Sequence, residues 1–149
     1  FDEHLKNVVE RDQIDISPDV LWLGGLAVAK KAYEIVKQHG YDCHYIGGGA
    51  RGLHHFTEMV GADCAITINW NGTAEQLLAQ NPPAVMRFFN PVAHEVIDTL
   101  TQKIPDFKRA YFINEINESE YDDYGPVVLF RQQFESAWKN ALAEIGKRR

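Results

Sequence analysis

Between Leu26 and Gln80 the spacing of apolar residues changes repeatedly, and this alternation constrains the fold more than any other feature of the chain. In Leu26–Gln38 (LAVAKKAYEIVKQ), Leu26, Ala29, Tyr33 and Val36 recur at helical spacing, with Lys30, Lys31, Glu34 and Lys37 filling the remainder. The pattern predicts an amphipathic helix stopped by Gly40, a residue that readily takes the left-handed conformation. Asp42–Ile46 predicts a short strand leading into Gly47-Gly48-Gly49. Leu53, Phe56 and Val60 then share one helical face, which Gly61 ends. Ala62–Asn69 (ADCAITIN) predicts a strand covered on both faces, and Gly72–Gln80 a helix with Thr73 as its N-cap. Helix, strand, helix, strand, helix with short links predicts parallel strands flanked by helices.

The remainder predicts helices. Val92, Val96, Leu100 and Ile104 recur every four residues after Pro91, and Pro105 closes that helix. Asn114–Gly125 (NEINESEYDDYG) is acidic and polar and predicts a surface loop, with Asp122 and Asp123 facing solvent. Pro126–Ile145 predicts a last helix with Val127, Phe130, Phe134, Trp138, Leu142 and Ile145 along one stripe, expected as core or subunit contact. Two strands are too few for an independent parallel sheet; Gln13–Leu23 offers only an irregular addition.

The charge balance excludes some function classes. Against 15 Lys and Arg stand 21 Asp and Glu, a net charge of −6. Non-specific nucleic-acid binding needs a basic footprint to displace counterions, and anionic membrane surfaces need the same. Neither nucleic acid nor membrane is therefore expected as a partner. Two cysteines, Cys43 and Cys64, are too few for a disulfide scaffold and predict a reduced, cytoplasmic setting. No transmembrane run is present, and residues 1–20 lack the apolar region of a signal peptide. Asn71-Gly72-Thr73 and Asn117-Glu118-Ser119 match the glycosylation triplet but read as chance matches in that setting.

The feature richest in chemistry is Ile46-Gly47-Gly48-Gly49-Ala50-Arg51-Gly52 between a strand and a helix. Glycines let backbone N–H groups approach a ligand closely, the following helix presents unpaired N–H groups, and an arginine grips phosphate in two places. The run predicts a phosphate site at the C-terminal end of a strand, where α/β folds bind ligands. A glycine turn made for tight packing, beside an exposed arginine, is the alternative. Neither a P-loop nor a dinucleotide fingerprint is present, since no Gly-Lys-Ser/Thr or GxGxxG follows.

The run AVAKKAYEIVKQHGYDCHYIGGGARGLHHFTEMVGADCAITIN resembles the final barrel units of the transaldolase family over about residues 26–78. In that family a helix ending His-Gly-Tyr leads through a strand to a Ser-Phe-Arg turn, then a helix, then a strand ending Thr-Ile-Ser-Pro. Here Gly47-Gly48-Gly49-Ala50-Arg51 stands at the first turn and Thr67-Ile68-Asn69-Trp70 at the second strand end. The resemblance implies an α/β fold, the C-terminal part of a (β/α)8 TIM barrel. Barrel units would cover about residues 20–81 and a helical extension about 91–149, within a single domain. It implies transfer or cleavage of a dihydroxyacetone unit of a ketose phosphate through a lysine Schiff base, in carbohydrate metabolism. Arg51 would bind the phosphate, with Gly48, Gly49 and Asn69 around it. Gly49 and Asn69 replace two serines of the family, which changes the ligand set. The Schiff-base lysine would lie outside this chain, so no catalytic residue is assigned within it. A non-catalytic sugar-phosphate binding module is the alternative function. The partners expected are a sugar phosphate and either a second copy or an N-terminal part of the same protein.

No cofactor or metal is expected. His54 and His55 adjoin at a helix start, where only one can face a pocket, and a metal site would need further ligands. Lys30, Lys31 and Lys37 are expected on an outer helix, solvated and unactivated. His44 is expected half-buried on its strand, and Cys43 and Cys64 as small buried side chains.

Overall fold

A computed structural model describes residues 1–148, which group into two compact units: residues 22–97, and residues 1–21 together with residues 98–148.

In residues 22–97, helix α3 (Gly24–Gln38) ends as its sequence dictates. Gly40 takes φ +62°, its N–H reaching Lys37 O at 3.2 Å while Tyr41 N–H reaches Val36 O at 3.2 Å. These two bonds satisfy carbonyls that the helix end would otherwise leave unpaired. Strand β1 (Tyr45–Ala50) pairs in parallel with strand β2 (Cys64–Ile68), the short helix α4 (His54–Thr57) lying between them in sequence. Leu26, Tyr33, Met59 and Phe88 form the core, with Leu23, Tyr45, Ala62, Cys64 and Ile66 packed against it. Burying Leu26 alone contributes about 1.5–3 kcal/mol. Tyr45 and Gly47 of β1 and Cys64 and Ile66 of β2 turn toward this side, whereas Ile46, Gly48, Ala65 and Thr67 lie on the open face.

The other unit holds α1 (Asp2–Asp12), the short α2 (Pro18–Leu21), the latter part of α6 (His94–Lys103), α7 (Pro105–Tyr111), a 3-10 helix (Glu118–Asp123) and α8 (Gly125–Gly146). Leu5, Val8, Leu100, Ile104, Phe107 and Tyr124 are buried in it. Pro105 ends α6 and also opens α7, where its fixed φ and missing N–H fit the first helical turn. His4 Nε2 lies 2.6 Å from Asp106 Oδ2, and the Tyr124 hydroxyl donates to Asp106 O at 2.6 Å.

The architecture corrects the expected partial (β/α)8 barrel. The described residues are mostly helical, with a single two-stranded parallel sheet. After β2 the chain enters a turn at Trp70–Ala74 and the short helix α5 (Glu75–Gln80), and no third strand forms among the described residues. The ADCAITIN strand is covered on one face only: Ala65, Thr67 and Ile68 are exposed. Thr73 does not cap α5; Asn71 is extended and Gly72 left-handed, so the helix begins at Glu75. The α8 stripe is exposed rather than core. Helices α1 and α7 lie outside the predicted elements. No helix among the described residues is long and apolar enough to cross a membrane.

Candidate functional site

The parallel pairing of β1 and β2 brings the sequence-predicted site residues to one end of the sheet. Gly48 and Gly49 lie near the end of β1, Arg51 follows it, and Asn69 follows β2. The ladder is interrupted here. Gly47 faces Ile66 and Ala50 faces Ile68, so Gly48 and Gly49 together stand opposite Thr67. This is a bulge of the kind that re-aims backbone beside functional sites. Gly49 adopts φ +66°, and its N–H donates to Thr67 Oγ1 at 2.6 Å. The threonine hydroxyl in turn reaches Gly47 O at 3.5 Å. A side chain thus replaces the ladder partner that the bulge removes. A Cβ placed on Gly48 or Gly49 would meet no atom within 4 Å, so the backbone there borders open space.

Beyond the bulge, one imidazole organises the turn. His55 Nδ1 accepts from Arg51 N–H at 3.0 Å and from Gly52 N–H at 3.2 Å. That arrangement requires a ring with Nδ1 unprotonated. Trp22 Nε1 donates to His54 Nδ1, and the His54 and His55 rings lie 3.9 Å apart. A side chain at Gly52 would run into His54 at 2.8 Å and Trp22 at 3.1 Å, so glycine is required there by close approach. Arg51 and Asn69 are both exposed at this end. The histidine pair packs the loop, and no cluster of His, Cys, Asp or Glu suited to a metal occurs among the described residues.

No protein-family model, curated protein or solved structure matches the chain.

The lysines divide differently from the sequence expectation. Lys37 is exposed and lies 2.9 Å from Asp63 Oδ2, a contact that holds the Asp63 carboxyl below its usual range. Lys30 is instead buried. Its ammonium donates to Asn90 O at 2.8 Å and Arg87 O at 3.3 Å, and stands 3.5 Å from Glu58 Oε2. Burial pushes its pKa down, opposed by the Glu58 charge. Three acceptors around one ammonium make it a clamp that fastens the Arg87–Asn90 turn to α3, not an exposed amine.

The remaining candidates also shift. His44 precedes β1 and is exposed. Cys43 is exposed and Cys64 half-buried, both as free thiols, and burial raises the Cys64 pKa. Sequence reasoning missed three contributors: Thr67, which holds the bulge; His55 as acceptor for the Arg51 turn; and Trp22 behind His54. The signal for Thr67 was present, a hydroxyl on the strand expected beside the glycine run.

Proposed function

We propose that this chain binds a phosphorylated sugar, with the phosphate at the Gly48–Arg51 turn and the adjacent end of β2. One observation carries this reading: a cation, a glycine bulge bordering open space and Asn69 share one end of two paired parallel strands. An arginine can hold phosphate oxygens through two N–H groups, and Asn69 can contact a phosphate or sugar oxygen. The resemblance to transaldolases supplies the reaction class. In it, a lysine amine from outside these residues attacks a ketose carbonyl, a carbon–carbon bond breaks, and a dihydroxyacetone unit passes to an aldose. The groups named here would orient the substrate through its phosphate. The two free thiols suit a reducing cytoplasm.

A second reading, a binding module with no lysine chemistry of its own, is favoured by Lys30, whose ammonium is enclosed by three acceptors. Calorimetry with fructose 6-phosphate, fructose and inorganic phosphate tests the shared claim. The phosphate ester is expected to bind more tightly than fructose, and Arg51→Ala to cost about 1.5–3 kcal/mol of binding. Equal affinity for ester and free sugar, or binding unchanged in Arg51→Ala, rules the phosphate site out. Borohydride trapping with fructose 6-phosphate separates the two readings: labelling only when an upstream polypeptide is supplied supports the enzyme, and no labelling in either case the module.

A further inference from the structure

Helix α8 carries a stripe that nothing in its own unit covers. Val127, Phe130, Phe134, Trp138, Leu142 and Ile145 are between 41% and 64% exposed. From Val127 to Ile145 the stripe climbs 18 residues, about five turns at 3.6 residues each, and so runs straight along the helix surface. A helix of this length is roughly 33 Å long at 1.5 Å per residue. Three of the six residues are aromatic, and a row of this kind marks a protein contact more often than idle surface.

Charge and size along the helix select the occupant. The segment leading into α8 is acidic, with Glu118, Glu120, Asp122 and Asp123, and Asp122 is 94% exposed. Arg109 and Arg131 offset part of that charge. The far end is basic, with Lys147 and Arg148 against Glu144. A second α8 laid antiparallel points each basic end toward the other copy's acidic segment, about five positions beyond the residues it faces, twice over, whereas a parallel copy sets like charges together. With the two-fold axis between Ala137 and Trp138, Trp138 falls opposite Ala137, Phe134 opposite Ala141 and Phe130 opposite Ile145. Large side chains then meet small ones at the centre, as close helix packing requires. A parallel pair would set Trp138 on Trp138 and Phe134 on Phe134.

We propose that α8 is a self-association helix, and that two copies of this chain pair through it in antiparallel register. The contact is isologous, so every favourable pair occurs twice.

Sedimentation velocity of the full chain at tens of micromolar tests this. The unaltered chain is expected to sediment as a dimer. Phe134→Glu with Trp138→Glu should give a monomer whose circular dichroism stays helical, since both positions are exposed. Lys147→Glu with Arg148→Glu should weaken the dimer about tenfold, and adding Asp122→Lys with Asp123→Lys should recover most of that loss. A monomeric unaltered chain, a dimer that survives the Phe134/Trp138 change, or charge reversal without recovery overturns the proposal. So does binding of a monomeric chain to phosphatidylserine vesicles, which would make the stripe a membrane-surface face.

Discussion

The backbone N–H of Gly49 donates to Oγ1 of Thr67 at 2.6 Å, joining residues 18 positions apart across the interrupted ladder of β1 and β2. The bulge at the candidate site is therefore set by two segments at once: glycines that permit the geometry and a hydroxyl that fixes it.

Thr67→Val keeps the branched shape and removes the acceptor. Because the bond is exposed and water can replace part of it, the expected loss is about 0.5–1 kcal/mol in urea unfolding. The more telling measurement is amide exchange at Gly49, which should quicken in the variant; unchanged exchange would show that Thr67 does not hold the bulge.

Gly48 and Gly49 should respond differently to alanine. Neither Cβ meets an atom within 4 Å, yet only Gly49 sits at positive φ. Gly49→Ala is expected to cost about 1–2 kcal/mol, the penalty of the left-handed region, while Gly48→Ala stays within about 0.5 kcal/mol or stabilises slightly. Gly48→Val adds bulk on the open face, so it should weaken fructose 6-phosphate binding while the thermal midpoint holds. Binding unaffected by Gly48→Val would place the ligand elsewhere.

Lys30 gives a pH dependence with a definite sign. Burial lowers its folded pKa below the ordinary 10.5, so the unfolded chain holds this proton more tightly. The Lys30 contribution to stability should therefore rise with pH between the lowered folded value and 10.5, the window in which the unfolded lysine binds the proton more tightly. Opposite slopes come from Lys37, raised by Asp63, above 10.5, and from Cys64 above 9.0 and Tyr45 and Tyr124 above 10.0, all held protonated in the folded chain. The Lys30 contribution is therefore read as the difference between the unaltered chain and Lys30→Met, which should lack it. The substitution should also cost about 1–3 kcal/mol at neutral pH, since the Arg87 and Asn90 carbonyls lose their donor. Urea midpoints measured across alkaline pH for both proteins check this.

Much of residues 26–80 could be read from sequence, because a helix stop such as Gly40 is a local property; β1, however, lies at Tyr45–Ala50, across the glycines, rather than at Asp42–Ile46. The bulge was not, since a glycine run does not say which residue leaves the ladder; Thr67 decides it from the other strand. Lys30 looked solvated because a lysine between apolar positions usually is, and its burial depends on a turn 57 to 60 residues later. The barrel expectation failed for a related reason. Local alternation predicts each β–α step but not how many strands assemble, and only two do among the described residues.

Gly125 leaves room for the His4 ring, which a Cβ there would strike. Gly125→Ala should therefore displace His4 from Asp106 and cost about 1–3 kcal/mol, as overpacking does. His4→Ala opens the same space, so the double variant should lose less than the sum of the single changes. Additive losses would show that the two positions act independently.

Tyr124→Phe removes one bond from a buried phenol. The hydroxyl donates to Asp106 O at 2.6 Å, and burial, with the Asp106 charge second, drives its pKa well above the ordinary range. Loss of the bond should cost about 1–2 kcal/mol in urea unfolding. A stability equal to that of the unaltered chain would mean the carbonyl finds another donor.

The contact between His4 and Asp106 spans 102 positions, and residues 22–97 fall inside that span. On the ribosome, helix α1 leaves the tunnel before residues 22–97, yet His4 must wait for Asp106. The inserted unit is complete by Ile97 and can close while α1 is still waiting. The order of synthesis and the order of folding are thus reversed for α1, whose Leu5 and Val8, buried in the folded unit, gain their cover only once residues beyond 97 have been made.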